Sequence, residues 1–391
     1  MTTPWHQAVS LRPHWRLAAA CRHADPDLFF PIGTAGPSAG QIAHAKEVCG
    51  GCPVRTPCLG WALERRIEDG IWGGMTEEER RALRVVIDGQ RRPALAPLHL
   101  APMTEPKTST LEVPGAVLYY DVRSAAASSH PVLLMIGSPM GADGFAALAG
   151  HFTDRTVVTY DPRSSGRSKR TDGALETTPD EHADDLHRLI SELNAGPVDI
   201  FASSGGAVNA LVLVARHPEQ VRTLLAHEPP AIREAPDSAG ALAANEDIRQ
   251  TYLRSGFGPA MAKFIALVSC PGLIGPEYLD RPAPDPAAFG LPTEDDGSRD
   301  DSLLRHNIIT CTHYEHDFDA LRAASTRVVI GVGEDSAQVI TGRTSEGVAR
   351  RLGTAPVTFP GAHGGFLGDE FGPMGGKPDA FAVVLRDVLD D

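Results

Sequence analysis

Aromatic residues make up only 6% of the 391 positions, and no long hydrophobic run is present. The longest apolar stretches, such as VLLMI at 132–136, are strand-sized, far short of the roughly 18 consecutive apolar residues that a membrane span needs. Integral membrane function is therefore excluded. The opening stretch, MTTPWHQAVSLRPHWRLAAA, is broken by Pro4, His6, Pro13 and His14 and lacks an apolar core, so it does not read as a secretory leader. A cytoplasmic protein is expected. Cysteine is scarce too, at six residues. Without a leader these are expected to be reduced thiols, which favours a metal or cluster site over a disulfide framework. At 42% hydrophobic and 22% charged, the chain is neither fibrous nor disordered and can bury two unequal cores.

The net charge of −14 conceals an asymmetry. Residues 1–100 carry 12 basic against 10 acidic side chains, so the remainder, with 24 against 40, holds the whole acidic excess. Arg80, Arg81, Arg84, Arg91 and Arg92, opposed within that span only by Asp88, form a basic cluster suited to phosphate contacts. Cysteine divides the same way: four thiols lie at 21, 49, 52 and 58, while Cys270 and Cys311 stand apart. Between the two parts, residues 93–110 (PALAPLHLAPMTEPKTST) have linker composition. The expected organisation is a small domain over 1–92, a linker over 93–110 and a large domain over 111–391.

In the first part the pattern predicts short helices over 40–48, 58–68 and about 76–88, the last opened by a Thr76/Glu79 capping box. This part has no sizeable apolar core of its own and needs another source of stability. Cys49-Gly-Gly-Cys52 sets two thiolates on a Gly-rich turn, Cys58 follows after five residues and Cys21 arrives from upstream. Four thiolates suit tetrahedral zinc or an iron–sulfur cluster. Zinc ribbons usually carry two C-x2-C knuckles, and the single knuckle here favours a cluster.

Together, C-x27-C-x2-C-x5-C, the A-C-R-x4-D-x-F-F-P stretch from Ala20 to Pro31, G-I-W-G-G at Gly70–Gly74 and the trailing arginines resemble the WhiB-like regulators of actinobacteria over residues 14–92. The resemblance implies a small all-α domain in which Cys21, Cys49, Cys52 and Cys58 hold a [4Fe-4S] cluster as cofactor. It also implies that Gly70–Gly74 contacts an RNA polymerase sigma factor and that the basic segment touches DNA. Loss of the cluster to oxygen or nitric oxide would then permit cysteine disulfides. Read alone, the five arginines supply electrostatics without sequence reading, and a solvated helix face accounts for them equally.

Downstream, β-rich runs at 132–136, 157–160, 198–201, 223–227, 327–332 and 357–359 alternate with helical patterns, the signature of a mostly parallel α/β sheet. LEVPGA followed by VLYYDV predicts an antiparallel hairpin at its edge, and residues about 230–320 read as a helical lid. After VDIF comes Ala202-Ser203-Ser204-Gly205-Gly206 and a helical run, a strand, sharp turn and helix that would expose Ser204 on a nucleophile elbow. His363 lies in G-A-H-G-G-F after the last strand, and Asp161-Pro-Arg-Ser-Ser-Gly-Arg-Ser168 resembles the D-x-R-G-x-G-x-S loop of α/β-hydrolases with Ser164 in place of the first glycine. Residues 111–391 therefore resemble that superfamily. The resemblance implies Ser204 as nucleophile, His363 as general base and an oxyanion hole from Gly205 N–H and a main-chain donor near Ser138–Met140. Ile136-Gly137 stands where the family often has His-Gly.

The acid departs from the pattern. Family members commonly place Asp three residues after the glycine ending the strand, and counting from Gly333 gives Ser336; Asp335 is one position early and Glu334 two. Asp335 is the leading candidate, with Glu334 and, in H-E-P-P, Glu228 as alternatives. The principal expectation is a redox-responsive transcriptional regulator carrying a catalytic or ligand-sensing module for a small acyl compound. The alternatives are a serine hydrolase gated or tethered by its N-terminal domain, and a structural zinc module in place of the cluster.

Overall fold

A computed structural model of the chain describes residues 19–31, 37–64, 67, 69–81, 105–125 and 128–391. The chain divides into two compact units, Met1–His99 and Leu100–Asp391. The expected linker falls mostly outside the described residues, but its last four positions do not behave as linker. Lys107–Thr110 pair with Val122–Tyr119 as the start of the first strand, because KTSTLEV alternates exposed and buried positions against the more apolar AVLYYDVR. Among the described residues, no helix is long and apolar enough to cross a membrane.

The first unit carries two short 3-10 turns, Ala20–His23 and Pro26–Phe29, then helices α1 (Pro37–Gly50) and α2 (Arg55–Glu64). Cys49 thus occupies the last turn of α1, and α2 begins three residues earlier than predicted so that Cys58 lies inside it. A further helical turn covers residues 77–81, opened by the predicted box: Glu79 N–H donates to Thr76 Oγ1 (3.3 Å) and Thr76 N–H to Glu79 Oε2 (3.0 Å). The predicted continuation to 88 lies outside the described residues. The apolar packing is slight, with Phe29, Ala45, Cys49 and Ile71 in one cluster and Ala19 and Val54 in another.

The second unit is built on a nine-stranded sheet in the order β1-β2-β4-β3-β6-β7-β8-β9, with β5 (Lys169–Arg170) pairing β2. The strands are β1 (Lys107–Val113), β2 (Ala116–Arg123), β3 (Leu133–Ile136), β4 (Val157–Asp161), β6 (Val198–Ser203), β7 (Val221–His227), β8 (Arg327–Gly333) and β9 (Val357–Phe359). From β4 to β9 all pairings are parallel, and the β1-β2 hairpin forms the antiparallel edge. Every residue of β3, β4 and β6 is buried, as expected of central parallel strands covered on both faces. On one face lie the helices Pro179–Leu193 and Gly205–Arg216, and on the other Pro378–Asp390 with Phe145, Phe201 and Phe366. The first of these helices starts where its sequence says it should: Pro179 is its first residue, and Thr178 and Glu181 form a capping box.

The insertion after β7 contributes helices Ser238–Ser255 and Phe257–Val268 and has a core of its own, including Ile248, Tyr252, Leu267, Leu304 and Ile308. Phe318, inside the predicted lid, and Leu321 just beyond it belong instead to the core beneath the sheet. The insertion ends short of residue 318 because the helix Phe318–Ala323 is the ordinary crossover leading into β8.

Candidate active site and four-cysteine centre

Ser204 sits between β6 and its helix with φ 57° and ψ −131°, a left-handed conformation that an L residue holds only at a cost of about 1–3 kcal/mol. The next two positions have no room for a side chain. A Cβ on Gly205 would lie 2.6 Å from Ser138 O, and one on Gly206 would lie 2.7 Å from Ile136 O. Ser204 N–H donates to His227 O (3.0 Å), which ties the elbow to the end of β7. The expected sharp bend is therefore present in the backbone, and the turn at 136–138 packs directly against it.

The structure pairs His363 with Glu228 and not with Asp335. His363 Nδ1 lies 2.8 Å from Glu228 Oε2, and Glu228 Oε1 accepts Gly333 N–H at 2.8 Å. Burial by itself would raise the Glu228 pKa, but the hydrogen bond and charge of His363, helped by His227, hold it well below the usual carboxylate range. An ionised carboxylate can only accept, so Nδ1 carries the proton of this bond, and in the neutral ring that leaves Nε2 as the acceptor. Asp335 is exposed, and among the described residues only its main-chain N–H is engaged, with Gly361 O. Glu334 accepts from Gly361 N–H (3.1 Å) and Lys377 Nζ (3.0 Å), so it braces the loop before His363 without touching the ring. Ser336, 1% exposed, occupies the position where the family commonly has its acid. Its hydroxyl is near enough to favour the ionised Glu228 without meeting hydrogen-bond geometry.

Glu228 was harder to find because it follows the neighbouring strand. Its φ of 47° turns the chain sharply after β7 so that the carboxylate reaches across β8. The other signal was its setting, a carboxylate directly after a buried strand. His227 beside it is fully buried and its pKa is pushed down to about 4 by that burial; its ring centroid lies 6.3 Å from that of His363. His227 is paired in register with Ser203, so Ser204, Glu228 and His363 share the C-terminal edge of the sheet.

The Asp161–Ser168 loop is structural support for this edge. Asp161 Oδ1 accepts Ala142 N–H (2.8 Å), while Oδ2 accepts Arg167 N–H (2.9 Å) and Nε (2.6 Å). Ser164, in place of the family glycine, adopts φ 64°. Arg163 makes a two-pronged bond to Asp185, Nε to Oδ2 at 2.7 Å and Nη2 to Oδ1 at 2.6 Å, both side chains being buried.

In the first unit, Cys21, Cys49, Cys52 and Cys58 all line one cavity of about 390 Å³, with Trp61 and Trp72 on its wall. Main-chain donors point at the sulfurs: Ala20 N–H at Cys52 Sγ (3.4 Å), Gly74 at Cys49 and Gly73 at Cys58. The Gly70–Gly74 turn is thus part of the sulfur cage. Its close approach requires glycine, since a Cβ on Gly73 would lie 2.5 Å from Leu59 Cβ. Burial, reinforced by the neighbouring thiols, pushes Cys58 up to about 11 and raises Cys49; a bound cationic centre would reverse both by favouring thiolates. Among the described residues, no three His, Cys, Asp or Glu side chains converge on a point suited to a single ion.

The basic cluster is divided by the structure. Arg80 is fully buried, its Nη1 donating to Gly70 O (2.7 Å) and Met75 O (2.8 Å) and its Nη2 to Ile67 O (3.0 Å) and Asp69 O (3.3 Å). It therefore clamps the glycine turn and is not available to DNA, because four main-chain carbonyls occupy both terminal nitrogens of a side chain that the turn buries. Arg81 is exposed and paired with Glu77. Arg84, Arg91 and Arg92 lie outside the described residues.

The two units thus define a four-cysteine domain joined to an α/β-hydrolase-fold domain with a Ser, His and Glu set. The family model "Transcription factor WhiB" matches residues 15–83, and "alpha/beta hydrolase fold" matches residues 130–268. Transcriptional regulator WhiB1 of Mycobacterium tuberculosis is 59% identical over 70 residues, covering 18% of this chain and 83% of that protein. YraK of Bacillus subtilis, an uncharacterized hydrolase, is 30% identical over 265 residues, covering 66% of this chain and 89% of its own. Among solved structures, an esterase from Thermogutta terrifontis superposes with TM-score 0.51 at 20% identity, covering 73% of this chain and 98% of that one. An alpha/beta hydrolase enzyme from a Medee basin deep-sea metagenome library superposes with TM-score 0.52 at 16% identity, covering 72% and 98%. The chain belongs to the WhiB family through its N-terminal unit and to the α/β-hydrolase superfamily through its C-terminal unit.

Proposed function

We propose that this protein is a redox-responsive transcriptional regulator whose N-terminal unit holds a [4Fe-4S] cluster and whose C-terminal unit is a serine hydrolase. The observation that carries the regulatory half is the set of four cysteines around one cavity, with the Gly70–Gly74 turn donating to two of the sulfurs. A cluster bound there would supply oxygen- and nitric-oxide-sensitive redox chemistry. Cys21, Cys49, Cys52 and Cys58 would hold it, and Gly73 and Gly74 would stabilise thiolate charge through their N–H groups. Because Gly70–Gly74 is also the proposed sigma-factor contact, the sulfurs and the partner surface share one turn. DNA contact falls to Arg81, Arg84, Arg91 and Arg92, acting on phosphates.

The hydrolase half rests on the Glu228–His363 pair at the same C-terminal sheet edge as the strained Ser204. His363 Nε2 takes the Ser204 proton as Oγ bonds to the carbonyl carbon of an ester or related acyl compound. Gly205 N–H and a main-chain donor near Ser138–Met140 meet the oxyanion. Collapse breaks the bond to the leaving group, which departs with the proton from His363. Water then attacks the acyl-serine, gives its proton to Nε2, and releases the acid with Ser204 restored. Glu228 stabilises the imidazolium throughout.

Purification without oxygen, with iron, acid-labile sulfide and zinc analysis, tests the first half. Roughly four iron and four sulfide per chain are expected for such a cluster. Absence of both would overturn the regulatory reading, and one zinc per chain would replace it with a structural module. For the second half, Ser204→Ala is expected to abolish turnover of acyl esters.

A further inference from the structure

Asn307 has no part in the set just described, yet it reaches into it from the insertion. It is 4% exposed and immediately precedes the helix Ile308–Thr312. Its Nδ2 donates to Ser138 Oγ (3.2 Å), and Ser138 is itself 4% exposed. A Cβ built on Gly205 would lie 2.6 Å from Ser138 O and 3.3 Å from Asn307 Nδ2. Ser138, Gly205 and Asn307 therefore meet at one point, and the first two belong to the stretches that carry the proposed oxyanion donors. Asn307 Oδ1, by contrast, is buried with no partner among the described residues. An unsatisfied buried acceptor is destabilising. Leucine has the same number and branching of side-chain heavy atoms without that cost, so packing does not account for an asparagine here.

The carboxamide is well anchored for a positioning task. Asn307 O accepts from Cys311 N–H (2.9 Å) and Thr310 Oγ1 (3.2 Å), and His306 O, one residue earlier, accepts from Thr177 N–H (2.9 Å). The far end of the oxyanion turn is held separately, by Asp161 through Ala142. The turn lacks the His-Gly opening common in the superfamily, and its near end has this bond from the insertion.

We propose that Asn307 is a positioning residue of the hydrolase site, clamping the Ser138 turn against Gly205 so that the oxyanion donors stay aimed at the scissile carbonyl. The proposal rests on the serine-hydrolase reading above. It makes the insertion a working part of the site: displacing the Asn307 segment would slacken the oxyanion turn without moving Ser204, Glu228 or His363.

The test uses the full chain, a p-nitrophenyl butyrate assay and labelling by a fluorophosphonate, which bonds its phosphorus to Ser204 Oγ with loss of fluoride. Asn307→Leu is expected to keep the wild-type melting temperature or raise it, to lower kcat roughly ten- to hundredfold by misaiming one donor, and to leave KM within about twofold. Ser138→Ala removes the same bond from the other side, so the double variant is expected to be no worse than the poorer single variant; it also serves as the test if Asn307→Leu does not fold. Wild-type kcat in both single variants, or losses that multiply in the double variant, would overturn the proposal. Wild-type protein that neither hydrolyses the ester nor takes the label would instead overturn the hydrolase reading beneath it.

Discussion

Replacing Glu228 by glutamine is the sharpest perturbation available to the C-terminal site, because the change is nearly isosteric and touches two donors at once. In the native arrangement both carboxylate oxygens accept, one from Gly333 N–H and one from His363 Nδ1, each at 2.8 Å. Glutamine has a single oxygen for these two donors. If the oxygen stays with the main-chain N–H, the amide NH2 faces His363 and drives the ring into the tautomer with the proton on Nε2, where it can no longer accept from Ser204. If the oxygen turns to His363, Gly333 N–H loses its acceptor and the imidazolium loses its counter-charge. Either outcome removes stabilisation that exists only when the proton moves, and loss of the orienting acid in such triads costs about 10³–10⁴ in kcat, or about 4–5.5 kcal/mol of barrier. Asp335→Asn, which changes an exposed side chain, is expected to stay within about twofold of wild type. The assay is ester kcat/KM for both variants, with circular dichroism to show that each is folded. A Glu228→Gln protein keeping more than a tenth of the activity, or a thousandfold loss in Asp335→Asn, would refute the assignment.

Other outcomes follow from the same geometry. Cys52→Ser is expected to abolish the visible iron–sulfur absorbance and loosen the first unit, whose apolar clusters are small, while the second unit keeps its own melting transition; loss of both in one transition would contradict their independence. Arg80→Ala is expected to speed amide exchange across residues 69–76 by depriving four carbonyls of their donor, whereas Arg81→Ala, breaking only an exposed pair, is expected to leave exchange unchanged and lower the salt dependence of DNA binding. Burial pushes His182 down to about 3 and His227 and His316 down to about 4 from an ordinary 6.5. Below pH 6.5 the unfolded chain therefore takes up protons that the native state refuses. Stability is expected to fall with pH down to about 4, by up to about 1.4 kcal/mol per pH unit for each ring; a urea midpoint unchanged between pH 7 and pH 5 would refute this.

Much of the molecule was legible from local pattern. The six strand runs lie within or at the edges of β3, β4, β6, β7, β8 and β9, because continuous apolar β-branched stretches bounded by breakers admit few other conformations. Ser204 and the four cysteines were legible because small residues around a serine, and thiols at short spacing, are decided within a few positions of chain. The partner of His363 was legible only as one of three candidates, ranked behind Asp335: Glu228 lies 135 residues away and reaches it through a positive φ and the parallel pairing of β7 with β8, neither of which leaves a mark on residue spacing. Arg80 read as one charge among five until the turn folded around it, and Asn307 read as insertion until that segment met the nucleophile elbow. Spacing along the chain determined which residues group as candidate sites; contacts between residues remote in sequence decided which side chains support them, since hydrogen-bond partnership depends on distances of about 3 Å that only the folded chain sets.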